Sequence, residues 1–274
     1  MINEGKLKEV LSIPSHSELE DLVRDYIVEF AKSNNLEHYV DSKGNLYVTK
    51  GVLMDEQKYP CVVAHMDTVH FDQTDLIKEN KRLEIVTSLY SDKTTLTAKN
   101  PDTGQKTGIG GDDKCGVYIC LEMLLQKDCL KAAFFVSEEI GMLGSKQADP
   151  KFFEDVGYAL QFDAPTGNWF SVQCSGTKLW TEEFESVVKP VLMNEGVTNF
   201  SYDPFTDVVQ LRKKFDFCCA VLFSGYYRQH SAEEYVVIED VEKSFKTGSK
   251  LIESLGLKKY VMSKDTPVSK SLIN

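Results

Sequence analysis

The stretch Cys-Val-Val-Ala-His-Met-Asp (61–67) joins an apolar segment to a histidine and a carboxylate. Cys61–His65 is continuous and apolar, which is typical of a strand buried on both faces of a parallel or mixed sheet. In open α/β sheets, functional sites form outside the carboxyl ends of the strands. The stretch therefore predicts a central strand that places His65 and Asp67 at a site on the edge of a sheet.

Acidic and histidine residues follow apolar segments at several further points. These pairs are Lys131–Val136 with Glu138 and Glu139, Gly157–Phe162 with Asp163, and residues 217–223 with His230. Asp112 instead begins a predicted helix over 112–127, after a glycine-rich turn that allows close backbone approach. Carboxylates and imidazoles in this number are the ligands of a two-metal hydrolytic site. The pattern therefore predicts that they converge at one sheet edge.

The elements along the chain predict an α/β fold. Helices are predicted over 17–34, 112–127, 182–193 and 237–255, and strands over 38–41, 45–49, 61–65, 131–136, 157–162, near 199–202 and over 217–223. Because strands and helices alternate, we expect a three-layer sandwich around a mostly parallel mixed sheet. We find no linker or repeat and expect one domain over 1–274. In it, the polar residues 70–108 would form hairpins and loops over the site.

Composition narrows the classes of function. The 274 residues carry a formal net charge of −11, which argues against nucleic-acid binding and suits a protein that gathers cations. The seven cysteines match no zinc-finger or disulfide spacing, so we expect buried thiols and a cytoplasmic location. The sequence shows no secretory signal and no apolar run of membrane-spanning length, so we expect no membrane partner.

These pieces together resemble the co-catalytic zinc metallopeptidase superfamily, which includes peptidase T-like tripeptidases, glutamate carboxypeptidases and lid-free zinc aminopeptidases. The matching motifs are His-Met-Asp-Thr-Val (65–69), Gly-Gly-Asp-Asp-Lys-Cys-Gly (110–116), Ser-Glu-Glu-Ile-Gly (137–141), Phe-Asp (162–163) and His-Ser (230–231). They stand in the family order. The first three are specific in combination, whereas the last two carry little alone. The resemblance implies a zinc-exopeptidase-like fold.

The resemblance also implies two divalent metal ions and their ligands. The implied ligands are Asp112 as the bridge, His65 and Asp163 on one ion, and Glu139 and His230 on the other. Zinc is the expected metal, and such ligands also accept cobalt or manganese.

Two further carboxylates have implied roles beside the metals. Glu138 is the general base that takes a proton from the metal-bridging water. Asp67 orients His65 and fixes its tautomer. The peptide bond between Asp112 and Asp113 is implied to be cis.

The chain departs from peptidase T-like enzymes in one respect. Those enzymes insert a lid or dimerisation domain between the aspartate ligand and the last histidine, whereas only residues 164–229 lie between Asp163 and His230 here. The back half is closer to lid-free aminopeptidases. We therefore expect no separate lid domain, and a monomer is compatible with the loss of a dimerisation domain.

Simpler interpretations exist for single residues. Asp113 is expected as a helix cap, Asp163 can form a turn before Pro165, Asp207 is more often a helix cap, and Arg228 is more often a surface residue than a carboxylate binder.

Three functions are compatible with the sequence. The first is an aminopeptidase or tripeptidase on short peptides. The second is an amidohydrolase on N-acyl amino acids that uses the same metals. The third is a catalytically silent binding protein on a peptidase scaffold. The missing lid favours this third function, whereas the presence of all five ligands and the base argues against it.

Overall fold

A seven-stranded mixed sheet forms the centre of the computed structural model, which describes residues 2–200 and 203–263. The strands are β1 (Glu37–Val40), β2 (Leu46–Lys50), β3 (Tyr59–His65), β4 (Glu84–Tyr90), β5 (Lys93–Lys99), β6 (Lys106–Thr107), β7 (Leu130–Phe135), β8 (Val156–Ala164), β9 (Phe170–Ser171), β10 (Gln173–Cys174), β11 (Thr177–Lys178), β12 (Cys218–Phe223), β13 (Tyr226–Tyr227) and β14 (Tyr235–Val237). The helices are α1 (Glu4–Ser12), α2 (Asp21–Ser33), α3 (Thr74–Lys78), α4 (Gly111–Gln126), α5 (Pro150–Phe153), α6 (Glu182–Asn194), α7 (Val208–Lys214) and α8 (Ile238–Leu255), with 3₁₀ turns at Phe71–Gln73 and Ser145–Gln147.

The main sheet has the order β1-β2-β7-β3-β8-β12-β9. Its four central strands, β7, β3, β8 and β12, are mutually parallel, and antiparallel strands extend it at both edges. Because the central strands run the same way, their carboxyl ends share one edge. The α/β class and the parallel centre are confirmed.

The hydrophobic core lies in two layers, one on each face of this sheet. In β3, Val62 and Ala64 belong to one buried cluster, while Cys61 and Val63 belong to the other. This period of two is what a strand covered on both faces requires. Helices α1, α2, α4, α6 and α8 contribute to the first cluster, and α5 and α7 to the second. The three-layer arrangement is therefore confirmed.

Two element predictions need correction. The predicted helix over 17–34 begins only at Asp21, because Ser17 donates a 2.7 Å hydrogen bond to Asp67 and Glu20 accepts one of 2.9 Å from the backbone of Ser137. The strand predicted near 199–202 is reduced to a single bridge between Asn199 and Trp169, and residues 201 and 202 lie outside the described part of the chain.

The polar residues 70–108 form more regular structure than predicted. They hold α3, the hairpin β4–β5 and β6, and β5 pairs with β14 in a second sheet of order β13-β14-β5-β4. The strands β13 and β14 flank the loop that carries His230. Through the pairing of β5 with β14, the hairpin supports the end of this loop.

The segment between Asp163 and His230 forms no separate lid in its described parts, 164–200 and 203–229. Helix α6 packs Phe184, Val188 and Leu192 into the first core cluster, and β12 is part of the main sheet. Within the described residues, none of the helices is apolar and long enough to cross a bilayer. Every cysteine except Cys129 is buried, as predicted.

Candidate metal centre

Three predicted ligands meet where β3, β8 and α4 come together. The Nε2 atom of His65 lies 3.2 Å from Oδ1 of Asp112 and 3.6 Å from Oδ1 of Asp163. His65 ends β3 and Asp163 lies near the end of β8, so parallel neighbours deliver them to the same edge. All three residues are buried. They form one group that could hold a metal ion.

The ring of His65 is set up to present a lone pair to this group. Its Nδ1 lies 3.0 Å from the backbone carbonyl oxygen of Asp67, so Nδ1 carries the hydrogen and Nε2 faces the two carboxylates. A cation placed between Nε2 of His65 and the carboxylates of Asp112 and Asp163 would interact favourably with all three groups. Without a metal ion, the two carboxylates favour a protonated imidazole in the same way. Burial lowers the pKa of His65, but Asp163 and Asp112 raise it well above its usual value.

A second group lies beside the first and shares Asp112. Nε2 of His230 is 3.3 Å from Oδ2 of Asp112 and 3.1 Å from Oε1 of Glu139. The side chain of His230 is 51% exposed, so this group opens towards solvent. Hydrogen bonds to Asp112 and Glu139 raise the pKa of His230 to about 10. These three residues also form a group that could hold a metal ion.

Asp112 therefore lies between the two histidines, with one carboxylate oxygen towards each. Although burial raises the pKa of Asp112, His230 and His65 lower it well below its usual range. Its backbone is not helical (φ −81°, ψ 99°), although it lies in the first turn of α4. The peptide bond to Asp113 is cis, as the resemblance implied.

Asp113 anchors this turn. Its Oδ1 accepts a 3.0 Å hydrogen bond from the backbone N–H of Gly116, and its Oδ2 accepts one of 3.2 Å from the backbone N–H of His65. A Cβ at Gly116 would come within 2.3 Å of the Asp113 carboxylate, which explains glycine there. Asp113 thus caps the helix, as predicted, and also fixes the start of α4 against the end of β3.

Glu138 lies in the same cleft, where one of its carboxylate oxygens is within 4.8 Å of ligand atoms of His65 and Glu139, a third group that could hold a metal ion. It is buried, and its Oε1 has no hydrogen-bond partner among the residues that the structure describes. Burial, with additional repulsion from Asp207 and Asp163, raises the pKa of Glu138 well above its usual value, although His65 opposes the shift. It is a carboxylate with an unused acceptor beside the metal groups, which suits proton transfer.

Asp67 contacts His65 through its backbone as well as through its carboxylate. The hydrogen of the His65 ring goes to the backbone carbonyl of Asp67, while the nearer carboxylate oxygen is 3.4 Å from Nδ1. The carboxylate accepts instead from the backbone N–H groups of Glu138 (2.9 Å) and Glu139 (3.1 Å) and from Ser17 (2.7 Å). The hydrogen bonds of Asp67 therefore position Glu138 and Glu139 as well as His65.

Several residues at the site carry no sequence signal. Tyr226 donates a 3.2 Å hydrogen bond to Oδ1 of Asp163, and Thr206 donates one to its Oδ2. Glu234 accepts from the backbone of Asp112 at 3.0 Å. Thr206 and Glu234 lie outside helices and strands, and Tyr226 lies in the two-residue strand β13, so none belongs to a recognisable period and only the folded chain brings them to the candidate ligands.

Other predicted candidates lie outside the two metal groups. Asp207 precedes α7 without a side-chain cap bond, and its buried carboxylate accepts from Gln161 at 3.3 Å. Arg228 lines a separate cleft with the β4–β5 hairpin.

An acidic cleft of about 200 Å³ opens over the site. Four carboxylates line it together with His230, and no lysine or arginine among the described residues does so: the acids are Asp112, Glu138, Glu139 and Asp163. Phe205, with 63% of its surface exposed, stands at the same cleft. The site therefore combines concentrated negative charge with one exposed aromatic ring.

The structure is similar to solved peptidases along nearly its whole length. A tripeptidase from Staphylococcus aureus matches with a TM-score of 0.69 and 16% identity, covering 92% of this chain and 98% of that one. The aminopeptidase PepT from Bacillus cereus matches with a TM-score of 0.70 and 14% identity, covering 92% and 97%. The TET1 peptidase from Pyrococcus horikoshii, described as able to assemble into a tetrahedron or an octahedral shell, matches with a TM-score of 0.63 and 16% identity, covering 92% and 98%.

No protein-family model and no curated protein matches the sequence. The structural likeness shows that the chain has the zinc-peptidase fold, and the resemblance read from its motifs is confirmed at that level.

Proposed function

We propose that the protein is a metal-dependent aminopeptidase or tripeptidase that hydrolyses short peptides with two divalent ions. The observation that carries the proposal is the bridging position of Asp112, which faces His65 with one oxygen and His230 with the other. Each end of this bridge is completed by one more carboxylate, Asp163 or Glu139. The fold shared with tripeptidases and aminopeptidases supports the same class of reaction.

The donor set fits two divalent cations. His65 and Asp163 with one oxygen of Asp112 would hold the first ion, and His230 and Glu139 with the other oxygen would hold the second. Their three carboxylates nearly offset four positive charges. Imidazole and carboxylate ligands suit zinc, and also cobalt or manganese. When bound, such a pair of ions lowers the pKa of water and polarises the attacked carbonyl group.

Glu138 supplies the proton transfer in this proposal. Its Oε1 is free of other hydrogen bonds in the described structure, so it can take a proton from the attacking water. It then gives the proton to the nitrogen of the leaving amine. Asp67 holds the backbone N–H groups of both Glu138 and Glu139, which keeps the base and a ligand in a fixed relation.

The charge of the cleft favours recognition of an amine over a carboxylate. Four acids line the cleft, and lysine and arginine are absent from its lining in the described part of the chain. A free peptide N-terminus can meet these acids or the metal. An N-acyl amino acid lacks this free amine, and the solved structures of similar fold are a tripeptidase and an aminopeptidase, so the amidohydrolase alternative is not favoured.

The decisive experiment measures hydrolysis of a tripeptide panel by metal-free protein before and after addition of Zn²⁺, Co²⁺ or Mn²⁺. We expect activity only with metal, and loss of activity in Asp112→Asn. Asp102→Asn, an exposed aspartate that pairs with Lys81, is the matched control and should keep full activity. Metal-independent cleavage would contradict the mechanism. Metal uptake without turnover of any peptide or acyl amino acid would support a silent binding protein.

The remaining parts of the proposal concern organisation and location. We propose a single catalytic domain over 1–274, supported by the shared core clusters of its front and back halves. A cytoplasmic location is supported by the seven free thiols, since a reducing compartment keeps thiols unpaired. A monomer is the proposed state, and sedimentation velocity would test it.

A further inference from the structure

Glu234 is a buried carboxylate that is neither a predicted ligand nor the base. Its exposed fraction is 0%, and both of its oxygens point at the turn before α4. Oε1 accepts a 3.0 Å hydrogen bond from the backbone N–H of Asp112, and Oε2 accepts one of 2.8 Å from that of Gly110. Nε2 of His70 lies 2.8 Å from Oε2. Burying a carboxyl group is costly unless donors bond to it, and the two oxygens of Glu234 together accept from three donors.

This carboxylate joins two parts of the chain that each carry a ligand. Glu234 ends the β13–β14 loop, four residues after His230, while its bonds hold the backbone of Asp112. The loop itself is constrained: Arg228 and His230 have positive φ angles of 54° and 61°, and Ser231 donates a 2.7 Å bond to the carbonyl of Arg228. The distance between His230 and Asp112 therefore depends on where Glu234 is held.

The packing around His70 supports the same interpretation. His70 is buried, and a Cβ at Gly108 would come within 1.9 Å of its ring, so only glycine fits beside it. The ring is thereby held against Glu234. The described structure gives Glu234 three donors from two segments, the turn that holds Gly110 and Asp112 and the segment of His70.

The two other ligands of the first metal group have supports of their own. His65 is fixed by the carbonyl of Asp67, and Asp163 is fixed by Tyr226 and Thr206. Neither set includes Glu234. A disturbance at Glu234 thus acts on Asp112, which both groups share, and on the loop of His230, which belongs to the second group alone.

We propose that Glu234 is a positioning residue that sets the affinity of the second ion, the one assigned to Asp112, Glu139 and His230. This inference rests on the two-ion site of the proposed function, and adds to it an outer partner that acts on one ion more than on the other. Outer hydrogen-bond partners of metal ligands typically change affinity by about 10–100-fold.

Glu234→Gln is the informative variant. The amide has the same shape, but it places an N–H₂ group against a backbone N–H of either Asp112 or Gly110, so one buried donor loses its acceptor. The neighbouring Glu233→Gln is the matched control. Glu233 is 59% exposed and pairs with Lys106 on the surface, so the same chemical change there should leave both ions unaffected.

The test is calorimetric titration of the metal-free protein with Zn²⁺, repeated with Co²⁺ so that the visible spectrum reports each site. For the wild type and for Glu233→Gln we expect two binding steps. We assign the weaker step to the second ion, because its group opens to solvent through the half-exposed His230, whereas the first group is buried. For Glu234→Gln this weaker step should lose about 10–100-fold in affinity and the stronger step much less. His70→Gln removes one donor and leaves both backbone bonds, so it should weaken the same step by under about tenfold.

Several results would overturn the proposal. These are equal weakening of both steps, no weakening in a folded Glu234→Gln protein, or a wild type that binds one ion only. If Glu234→Gln does not fold, an unchanged second step in His70→Gln overturns it. Because metal binding is measured without substrate, failure of the peptidase proposal is seen separately, as two bound ions without peptide hydrolysis.

Discussion

Asp67 accepts a 2.9 Å hydrogen bond from the backbone N–H of Glu138, although 70 residues separate the two in sequence. The partner oxygen of the same carboxylate accepts from Glu139 at 3.1 Å. Asp67, two residues after His65 at the end of β3, thus fixes the loop after β7. Neighbouring parallel strands make this possible, because β3 and β7 end side by side.

The first prediction concerns this link. Asp67→Asn keeps one acceptor oxygen but turns an N–H₂ group towards a backbone N–H of Glu138 or Glu139. We expect kcat to fall by about 10–100-fold with a smaller change in KM, because the base is displaced more than the cleft. Steady-state kinetics on a tripeptide check this. An unchanged kcat in a fully metallated Asp67→Asn protein would contradict the role, and Asp102→Asn serves as the surface control.

The second prediction concerns Glu138. Its Oε1 has no partner in the described structure, so Glu138→Gln breaks no hydrogen bond at that atom. We expect the variant to fold and to bind metal like the wild type. We also expect kcat to fall by about 10²–10⁴-fold, the usual contribution of a general base. Metal analysis beside kinetics separates lost chemistry from lost metal, and full activity would exclude Glu138 as the base.

The residues of the candidate metal groups could be predicted from the sequence because each stands after an apolar segment or in a glycine-rich turn. Such segments become strands whose carboxyl ends meet, so the order along the chain implies the meeting point. Glu234 could not be found in this way. Glu234 lies in a loop. Its proposed role depends on hydrogen bonds from the backbone N–H groups of Gly110 and Asp112, which lie more than a hundred residues earlier in the chain.

The polar residues 70–108 show a second limit of sequence patterns. Their composition indicates turns and hairpins, which the β4–β5 hairpin confirms. Their partner β14 has three residues, too few for a recognisable period, so its pairing with β5 was not predictable. Short strands take their conformation from neighbours, and the second sheet that braces His230 arises in this way.

The third prediction compares the two histidines. His65 is 1% exposed and contacts Asp67, Asp112 and Asp163, whereas His230 is half-exposed. His65→Ala leaves buried carboxylates facing each other, so we expect loss of about 1–3 kcal/mol of unfolding free energy together with the first ion. His230→Ala should cost less than His65→Ala, because solvent screens the half-exposed ring, and it should weaken the second ion more than the first. Urea unfolding of the metal-free variants, with metal titration, measures both effects. Equal destabilisation by the two changes would contradict the burial argument.

The fourth prediction is a pH dependence of stability at Asp207. Burial raises the pKa of this carboxyl to about 7, partly opposed by His65. An acid with a raised folded pKa prefers to be protonated in the fold, so its charge destabilises the protein increasingly as pH rises from about 4 to 7, and fully above that. Asp207→Asn removes the charge and keeps an acceptor for Gln161.

We therefore expect Asp207→Asn to be more stable than the wild type by about 1–3 kcal/mol at pH 8, with the difference shrinking towards pH 4. Urea unfolding of metal-free protein at several pH values measures it. Asp102→Asn, on the surface, should show no such trend. A difference that is constant with pH would show that the charge of Asp207 is not its cause.

The fifth prediction concerns the exposed ring at the acidic cleft. Phe205 is 63% exposed at the acidic cleft beside Glu138 and His230, so an apolar substrate side chain bound in this cleft would cover its ring. Phe205→Ala should raise KM by about 3–10-fold for peptides with apolar side chains and leave triglycine nearly unchanged, because glycine offers no surface to bury. Met193→Ala, an equally exposed apolar residue on α6, should alter neither value. Equal KM changes for both peptides would mean that Phe205 shapes the cleft rather than contacting the substrate side chain.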